Sequence, residues 1–303
     1  KKIFFIVSII LCLAGPVMMG VNHARGIGAM NYSLDFVGGT STNVTFDKEY
    51  TLEEIDSQMI PSLEEITGDK NIQVQTVKES NQVVFKTQTL DLEKREALAS
   101  YLNENYGVEA SDIATENISS TVSSEMRRDA VIAVIIATIC MLLYIWFRFK
   151  DIRFATSAVI ALMHDVLVVL GFYVIARVSV GNTFIACMLT IVGYSINGTI
   201  VIFDRIREAL ATKSRTEDLK DLVNRCITQT LTRTIYTNFT TFVMVVALYI
   251  LGVSSIKEFA APLMVGIICG GYTSVCITGA LWYVMKTRLG EEAKAARIAS
   301  GTK

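Results

Sequence analysis

Residues 192–203 read "VGYSINGTIVIF", inside an apolar run that begins near Thr183 and ends at the charged "DRIRE" of residues 204–208. The run is long enough to cross a membrane, yet its middle carries Ser195, Asn197, Gly198 and Thr199. Hydrocarbon offers such side chains no hydrogen-bond partner, so they are expected to face protein or a wet cavity. Membrane residence follows from the chain as a whole. Of its 303 residues 51% are hydrophobic and only 3 are Pro, a composition unsuited to a water-soluble globule.

Working outward, segments near the length of about 20 residues that a bilayer requires fall at 3–21, 130–147, 154–176, 182–203, 235–253 and 262–285. Lys and Arg near span ends stay on the cytoplasmic side. They gather at Lys1 and Lys2, at Arg148, Lys150 and Arg153, from Arg205 to Arg225, and from Lys286 to Arg297. The opposite short loops hold only Arg177 and Lys257. Both termini are therefore expected in the cytoplasm and residues 22–128 outside. That block holds 18 Asp+Glu against 9 Lys+Arg, and the rest of the chain 11 against 19, so the two sides differ in charge. The first segment has no convincing cleavage site and is read as a retained anchor kinked at Pro16. The chain begins at Lys1 rather than Met, which leaves room for residues upstream, a fused partner among them.

The expected organisation is a first transmembrane helix at 1–21 and an extracytoplasmic α+β domain at 22–128. A five-helix transmembrane bundle follows at 129–285, with a cytoplasmic amphipathic loop at 204–232, and a cytoplasmic tail at 286–303. In the polar block, alternation in "STNVTF", "IQVQTV" and "QVVFKTQ" predicts strands, and "NIS" near residue 118 finishes another. Between them lie a helix over "TLEEIDSQMIPSLEEI", capped by Thr51 with Glu54, and a second over "DLEKREALASYLNENY", capped by Asp91. The order β-α-β-β-α-β is that of a split βαβ, ferredoxin-like domain.

Within the spans, Thr190, Gly193, Asn197, Val201 and Asp204 share one face of the fourth helix, and Thr230, Arg233, Thr237 and Thr241 form a stripe on the fifth. Such residues serve either as interhelical glue or as part of a polar path. Arg233 alone is read as snorkelling from the cytoplasmic end of the fifth span to water. His164 and Asp165 lie halfway along the third span, where an intramembrane carboxylate needs a partner or a proton. His164 reads either as functional or as a neighbour-bonded structural group. Gly266, Gly270, Ser274 and Thr278 repeat every four residues in the sixth span, a spacing read as close helix packing. Between the fourth and fifth spans, Leu219, Leu222, Val223, Cys226, Ile227 and Leu231 recur at helical spacing behind a Ser214/Glu217 capping box. This predicts a helix lying on the membrane surface.

No nucleotide-binding loop, nucleophile elbow, HExxH pair or cysteine-based metal spacing is present, so neither covalent catalysis nor a metal or other cofactor is expected. Cys12, Cys140, Cys187, Cys269 and Cys276 fall in apolar runs and Cys226 in a basic loop, which leaves no disulfide framework.

Four motifs in order, "YSLDFVGGT", "LMHDV", "VGYSINGTIVIFDRIRE" and "TQTLTRTIYTNFTT", resemble the SecF-type members of the SecD/SecF family of protein-export membrane subunits, within the resistance-nodulation-division superfamily. The resemblance covers nearly the whole chain, and the fourth-span motif is its most specific part. It implies a polytopic α-helical membrane protein with six transmembrane helices and one extracytoplasmic α+β ferredoxin-like domain. It further implies a partner, SecD, action beside the SecYEG translocon on a translocating preprotein, and use of protons moving down their gradient; no nucleic acid is implied. Many members carry Asp at the position of Gly198 as a proposed proton carrier, and Arg233 matches the family's Arg in the fifth span. With Gly198 here, a relay would rest on SecD carboxylates, on Asp165, or on water held by Asn197 and Thr199. Asp204, Arg205, Arg207 and Glu208 form a motif at the cytoplasmic end of the fourth span, with Asp204 expected to pair with Arg205, Arg207 or Arg233. Asp35, Gly38 and Gly39 are read as a structural turn. Two rivals are a scaffold for SecD without its own relay, and a proton-coupled lipid or drug exporter of the same superfamily, against which the short outer block argues.

Overall fold

The computed structural model describes residues 2–25, 28–70, 72–76, 81–149, 151–214 and 217–287. Lys1, Lys150, Arg215 and the tail from Arg288 onward lie outside the described residues. Among those described, six helices are long and apolar enough to cross a membrane: Phe4–Ala24, Thr121–Ile145, Ile152–Ile175, Asn182–Ala211, Leu219–Leu251 and Ile256–Thr287. The chain divides into two compact units. One is a helical bundle of residues up to Asn31, Ala133–Ser179 and the chain from Thr183; the other, of α+β type, is Tyr32–Ile132 with Val180–Asn182.

The α+β unit begins with a short helix α2 (Leu34–Val37; the preceding α1 belongs to the bundle) and runs β1 (Gly39–Thr45), α3 (Leu52–Gln58), α4 (Ile60–Thr67), β2 (Gln73–Thr76), β3 (Gln82–Thr87), α5 (Leu92–Tyr106) and β4 (Ile113–Ile118). The strands form one antiparallel sheet in the order β2-β3-β1-β4, with Thr42 opposite Phe85 and Thr115. Alternation along β1 and β3 turns Val44, Val83 and Phe85 toward Ile55, Met59, Leu63, Leu98 and Leu102 of the helices, and these residues make the core. Thr51 and Glu54 form the expected capping box, and the Asp91 carboxylate accepts from the Lys94 N–H. The single helix expected over 51–66 is in fact two. Pro61 has no N–H to give to Ser57 and its ring crowds that turn, so the helix breaks at Met59 and restarts with the proline in its first turn. Asp35 of α2 accepts from the Asn182 N–H at 3.4 Å. Gly38 and Gly39 follow with φ of 80° and 141°, and a Cβ on Gly39 would lie 2.3 Å from the Thr87 carbonyl oxygen, so only glycine fits there.

The bundle consists of α1 (Lys2–Ala24), α6 (Ser120–Phe149), α7 (Ile152–Ile175), α8 (Asn182–Ala211), α9 (Leu219–Leu251) and α10 (Ser254–Thr273). After α10 a π-turn over Ser274–Thr278 leads into a last helical stretch. Helix α1 is continuous through Pro16. In lipid the tails are as apolar as Leu, so helix association rests on close packing and hydrogen bonds. Both are visible. Helices α1 and α7 meet at Gly15 and Gly171, where a Cβ on Gly15 would come within 2.8 Å of the Gly171 Cα. The four-residue repeat of α10 faces α8: Gly266 lies against Ile191, Gly270 against Ser195, and Ser274 against Gly198.

The segment expected as a loop over 204–232 is mostly helical. Helix α8 runs to Ala211, and α9 begins at Leu219 and continues unbroken through the fifth span. Asp218, not Ser214, occupies the N-cap position, and the Glu217 carboxylate accepts instead from Arg225 at 2.7 Å. The apolar stripe of this segment does not lie on a membrane surface. Leu222, Val223 and Cys226 are buried against Phe203 and Ile206 of α8, Phe154 of α7 and Trp282, with the Phe154 and Trp282 rings stacked at 4.8 Å.

Candidate functional site

His164 and Asp165 stand midway along α7, and Asp165 is fully buried. Its carboxylate is surrounded by donors from three helices. Ser195 of α8 donates through Oγ to Oδ2 at 2.5 Å. Thr273 and Cys269 of α10 donate to Oδ1 at 2.5 and 3.2 Å, and His164 Nδ1 lies 3.1 Å from the same oxygen. A carboxylate offers about four acceptor sites, and four groups converge on this one. The Nδ1, Oδ1 and Sγ atoms of His164, Asp165 and Cys269 lie within 4.8 Å of one another, a spacing that one ion could bridge. Cys269 Sγ and Thr273 Oγ1 also lie 3.8 and 3.2 Å from His164 Nδ1, so the imidazole and the carboxylate share these two groups of α10. His164 Nε2 is buried with no hydrogen-bond partner among the described residues.

On the other side of Ser195 lies a second polar feature. A pocket of about 70 Å³ is lined by Tyr194, Ser195, Asn197, Gly198, Arg233 and Asn238, among others from α8, α9 and α10. Tyr194 donates its hydroxyl to the Thr237 carbonyl at 3.3 Å, and the buried Oδ1 of Asn238 has no partner among the described residues. Gly198 packs on the first residue of the π-turn: a Cβ there would lie 3.0 Å from Ser274 Oγ, which itself donates to the Gly270 carbonyl at 2.7 Å. Asn197, Arg233 and Thr237 are exposed, as are Thr190 and Gly193 on the same stripe of α8. Thr199, by contrast, is buried. It does not line the pocket with Asn197.

Arg233 does not sit at a helix end. It lies about 20 Å along α9 from its start, at 1.5 Å per residue, and lines the pocket beside Asn197 and Gly198. It forms no ion pair among the described residues. Asp204 pairs with neither Arg205 nor Arg233. Its Oδ2 takes Arg148 of α6 at 2.6 Å, and its Oδ1 lies 3.6 Å from Arg207. Arg205 donates to Gln229 at 2.8 Å and pairs with Glu208 at 3.1 Å, which ties α8 to α9.

Sequence reasoning missed Ser195, Cys269 and Thr273 as partners of Asp165, and Arg148 as the partner of Asp204. One signal was present: Cys269 and Thr273 stand four residues apart, hence on one face of their helix, beside the glycine repeat.

Six membrane-length helices, three of which enclose a carboxylate, with a polar face left uncovered, define a polytopic α-helical membrane protein with an intramembrane polar site. The sequence profile described as "Protein export membrane protein SecD/SecF, C-terminal" matches residues 98–288. The protein translocase subunit SecF of Acidaminococcus fermentans is 34% identical over 293 residues, covering 95% of this chain and 96% of that protein. The subunit SecDF of Bacillus subtilis is 35% identical over 291 residues, but only 38% of its length is spanned. Among solved structures, that of SecDF, a translocon-associated membrane protein from Thermus thermophilus, superposes with a TM-score of 0.80 at 35% identity. It covers 94% of this chain and 38% of that one. The chain belongs to the SecD/SecF family, and is a multi-pass bacterial membrane protein with an accessory role in Sec translocation.

Proposed function

We propose that this chain is the SecF-type subunit of a protein translocase, and that with a SecD-type partner it uses the proton gradient to assist preprotein movement through a SecYEG channel. In this reading the α+β unit is a ferredoxin-like domain on the outer side, both termini are cytoplasmic, and the chain catalyses no covalent reaction. The observation that carries it is the uncovered polar face of Thr190, Gly193, Asn197, Arg233 and Thr237 on membrane-spanning helices. Such a face is costly against lipid and calls for another helix bundle. The SecDF relatives, in which a segment like this chain makes up 38% of a longer protein, supply a partner of suitable kind.

Co-expression with a tagged SecD should recover a stoichiometric pair. A monodisperse, stable lone subunit that never binds SecD would count against the reading. One observation favours a scaffold without its own relay: Gly198 is packed against Ser274, and a glycine carries no proton. Proton flux in liposomes containing the pair separates the two. Gradient-driven flux supports the transporter, and its absence supports the scaffold.

A further inference from the structure

We propose that Ser195 is the hydroxyl through which protons pass between Asp165 and water held in the pocket beside Arg233; this rests on the reading of the chain as a proton-using subunit. Among the described residues Asp165 Oδ2 has one close partner, the Ser195 hydroxyl, and Ser195 also lines the pocket. A hydroxyl both donates and accepts. When the carboxylate is charged, Ser195 donates to it. When a proton sits on Oδ2, Ser195 accepts, and its own hydrogen must point elsewhere. The pocket gives that hydrogen a destination.

The pocket is suited to water. Each water needs at least about 10–15 Å³ and two or more polar partners, and the space is about 70 Å³. The orphaned Asn238 Oδ1 asks for a donor that the described residues do not supply. Arg233 in the lining makes a resident metal cation unfavourable, whereas neutral water is accepted.

The step balances. A neutral pocket water gives one proton to Ser195 Oγ and takes one from the water beyond it, while the hydrogen that Oγ held moves to Asp165 Oδ2. One proton has entered, the carboxylate is neutral, and Ser195 again has one hydrogen. The second close hydroxyl cannot do this: Thr273 Oγ1 faces Asp165, His164 Nδ1 and Cys269, and does not line the pocket. The titratable groups facing Asp165 are His164 on its own helix, Cys269 on α10 and Cys12 on α1. None of these lines the pocket.

The test uses the full chain assembled with its SecD-type partner in bilayers. The Asp165 carboxylic acid is followed by its infrared C=O band, assigned by loss in Asp165→Asn, across a range of pH, and its exchange rate with deuterated water is measured. Ser195→Ala should slow exchange by roughly a hundredfold, the low end of what a positioned proton-transfer group contributes. Ser195→Thr, which keeps the hydroxyl, should restore most of the rate. A purely structural serine would leave the rate unchanged in Ser195→Ala whenever the pair still assembles, and that result overturns the proposal. So does an Asp165 band absent at every pH. Normal exchange at Asp165 with no net flux through the wild-type pair would instead sink the proton-driven function while leaving the Ser195 path intact.

Discussion

Replacing Asp165 by Ala should loosen the bundle by an amount that the geometry bounds. Three interhelical hydrogen bonds end on this carboxylate, from Ser195 on α8 and from Cys269 and Thr273 on α10. Side-chain hydrogen bonds between membrane helices are worth about 0.6 kcal/mol on average and up to about 1.7, so three give about 2–5 kcal/mol. The lower half of that range is the better expectation. A hydroxyl that loses its interhelical acceptor can fall back on the carbonyl four residues earlier, as Thr190 and Ser274 already do at 2.7 Å. His164 Nδ1 likewise keeps Thr273 Oγ1 at 3.2 Å. The measurement is denaturant-induced unfolding of the purified chain in micelles, with Asp165→Asn as a control that keeps one acceptor oxygen and should lose less. An Asp165→Ala chain within about 0.5 kcal/mol of the parent, the scatter of ordinary surface changes, would refute the claim that this carboxylate ties α7, α8 and α10 together.

Arg233→Ala should abolish gradient-dependent preprotein export, whereas Gly198→Asp should be tolerated or strengthen coupling. Normal uncoupler-sensitive export by the first, with collapse of the complex in the second, would leave only the scaffold. Gly266→Ala places a Cβ 2.5 Å from Ile191 Cγ1 and should cost about 1–3 kcal/mol by overpacking; unfolding in micelles should show Ile191→Ala partly rescuing it, and an unaffected single mutant would mean α8 and α10 do not meet there. In the α+β unit, hydrogen bonds from the Thr51 N–H and hydroxyl hold the Glu54 carboxyl below its usual value. That depressed value gives a small stabilisation at neutral pH that is lost as pH falls through the folded-state pKa. Protection of the amides of residues 51–55 in the full chain, taken relative to the intrinsic exchange rate at each pH, should fall on acidification, and Thr51→Ala, which removes the hydroxyl but keeps the backbone donor, should weaken that dependence.

The spans, the order of strands and helices along the chain and the caps at Thr51 and Asp91 were legible because each rests on local pattern: run length, alternation, or a polar residue just before a helical run. The Thr51/Glu54 spacing recurs at Ser214 and Glu217 but did not mark the start of α9, whose N-cap is Asp218. The break at Met59 was legible too, since Pro61 cannot continue a helix, but the run of apolar positions around it masked the signal. Residues 219–251 contain no Gly or Pro, which is the local cue that α9 is one helix; the shift from an amphipathic to an apolar pattern suggested a boundary where none exists. The partners of Asp165 were not legible. Ser195 is 30 residues away and Cys269 and Thr273 more than 100. Hydroxyls in apolar helices commonly bond back to their own backbone, so their presence does not say which of them cross to a neighbour.

The absence of a carboxylate at Gly198 changes what the uncovered face requires. A guanidinium on a spanning helix is expensive unless it is paired or wet, and Arg233 has only the small pocket and no ion pair among the described residues. A carboxylate at 198 would have lined the same pocket and supplied the counter-charge within the chain. With glycine there, the face presents a net positive charge, so on the proposed reading the complementary acid stands on the partner. Assembly and coupling then depend on the same contact, because the group that covers Arg233 is also the one that can exchange a proton with the pocket. The inner carboxylate remains available on the far side of Ser195. On that reading the proposed proton path runs from a partner acid through pocket water to Asp165, while Gly198 serves the close packing of α8 on the π-turn.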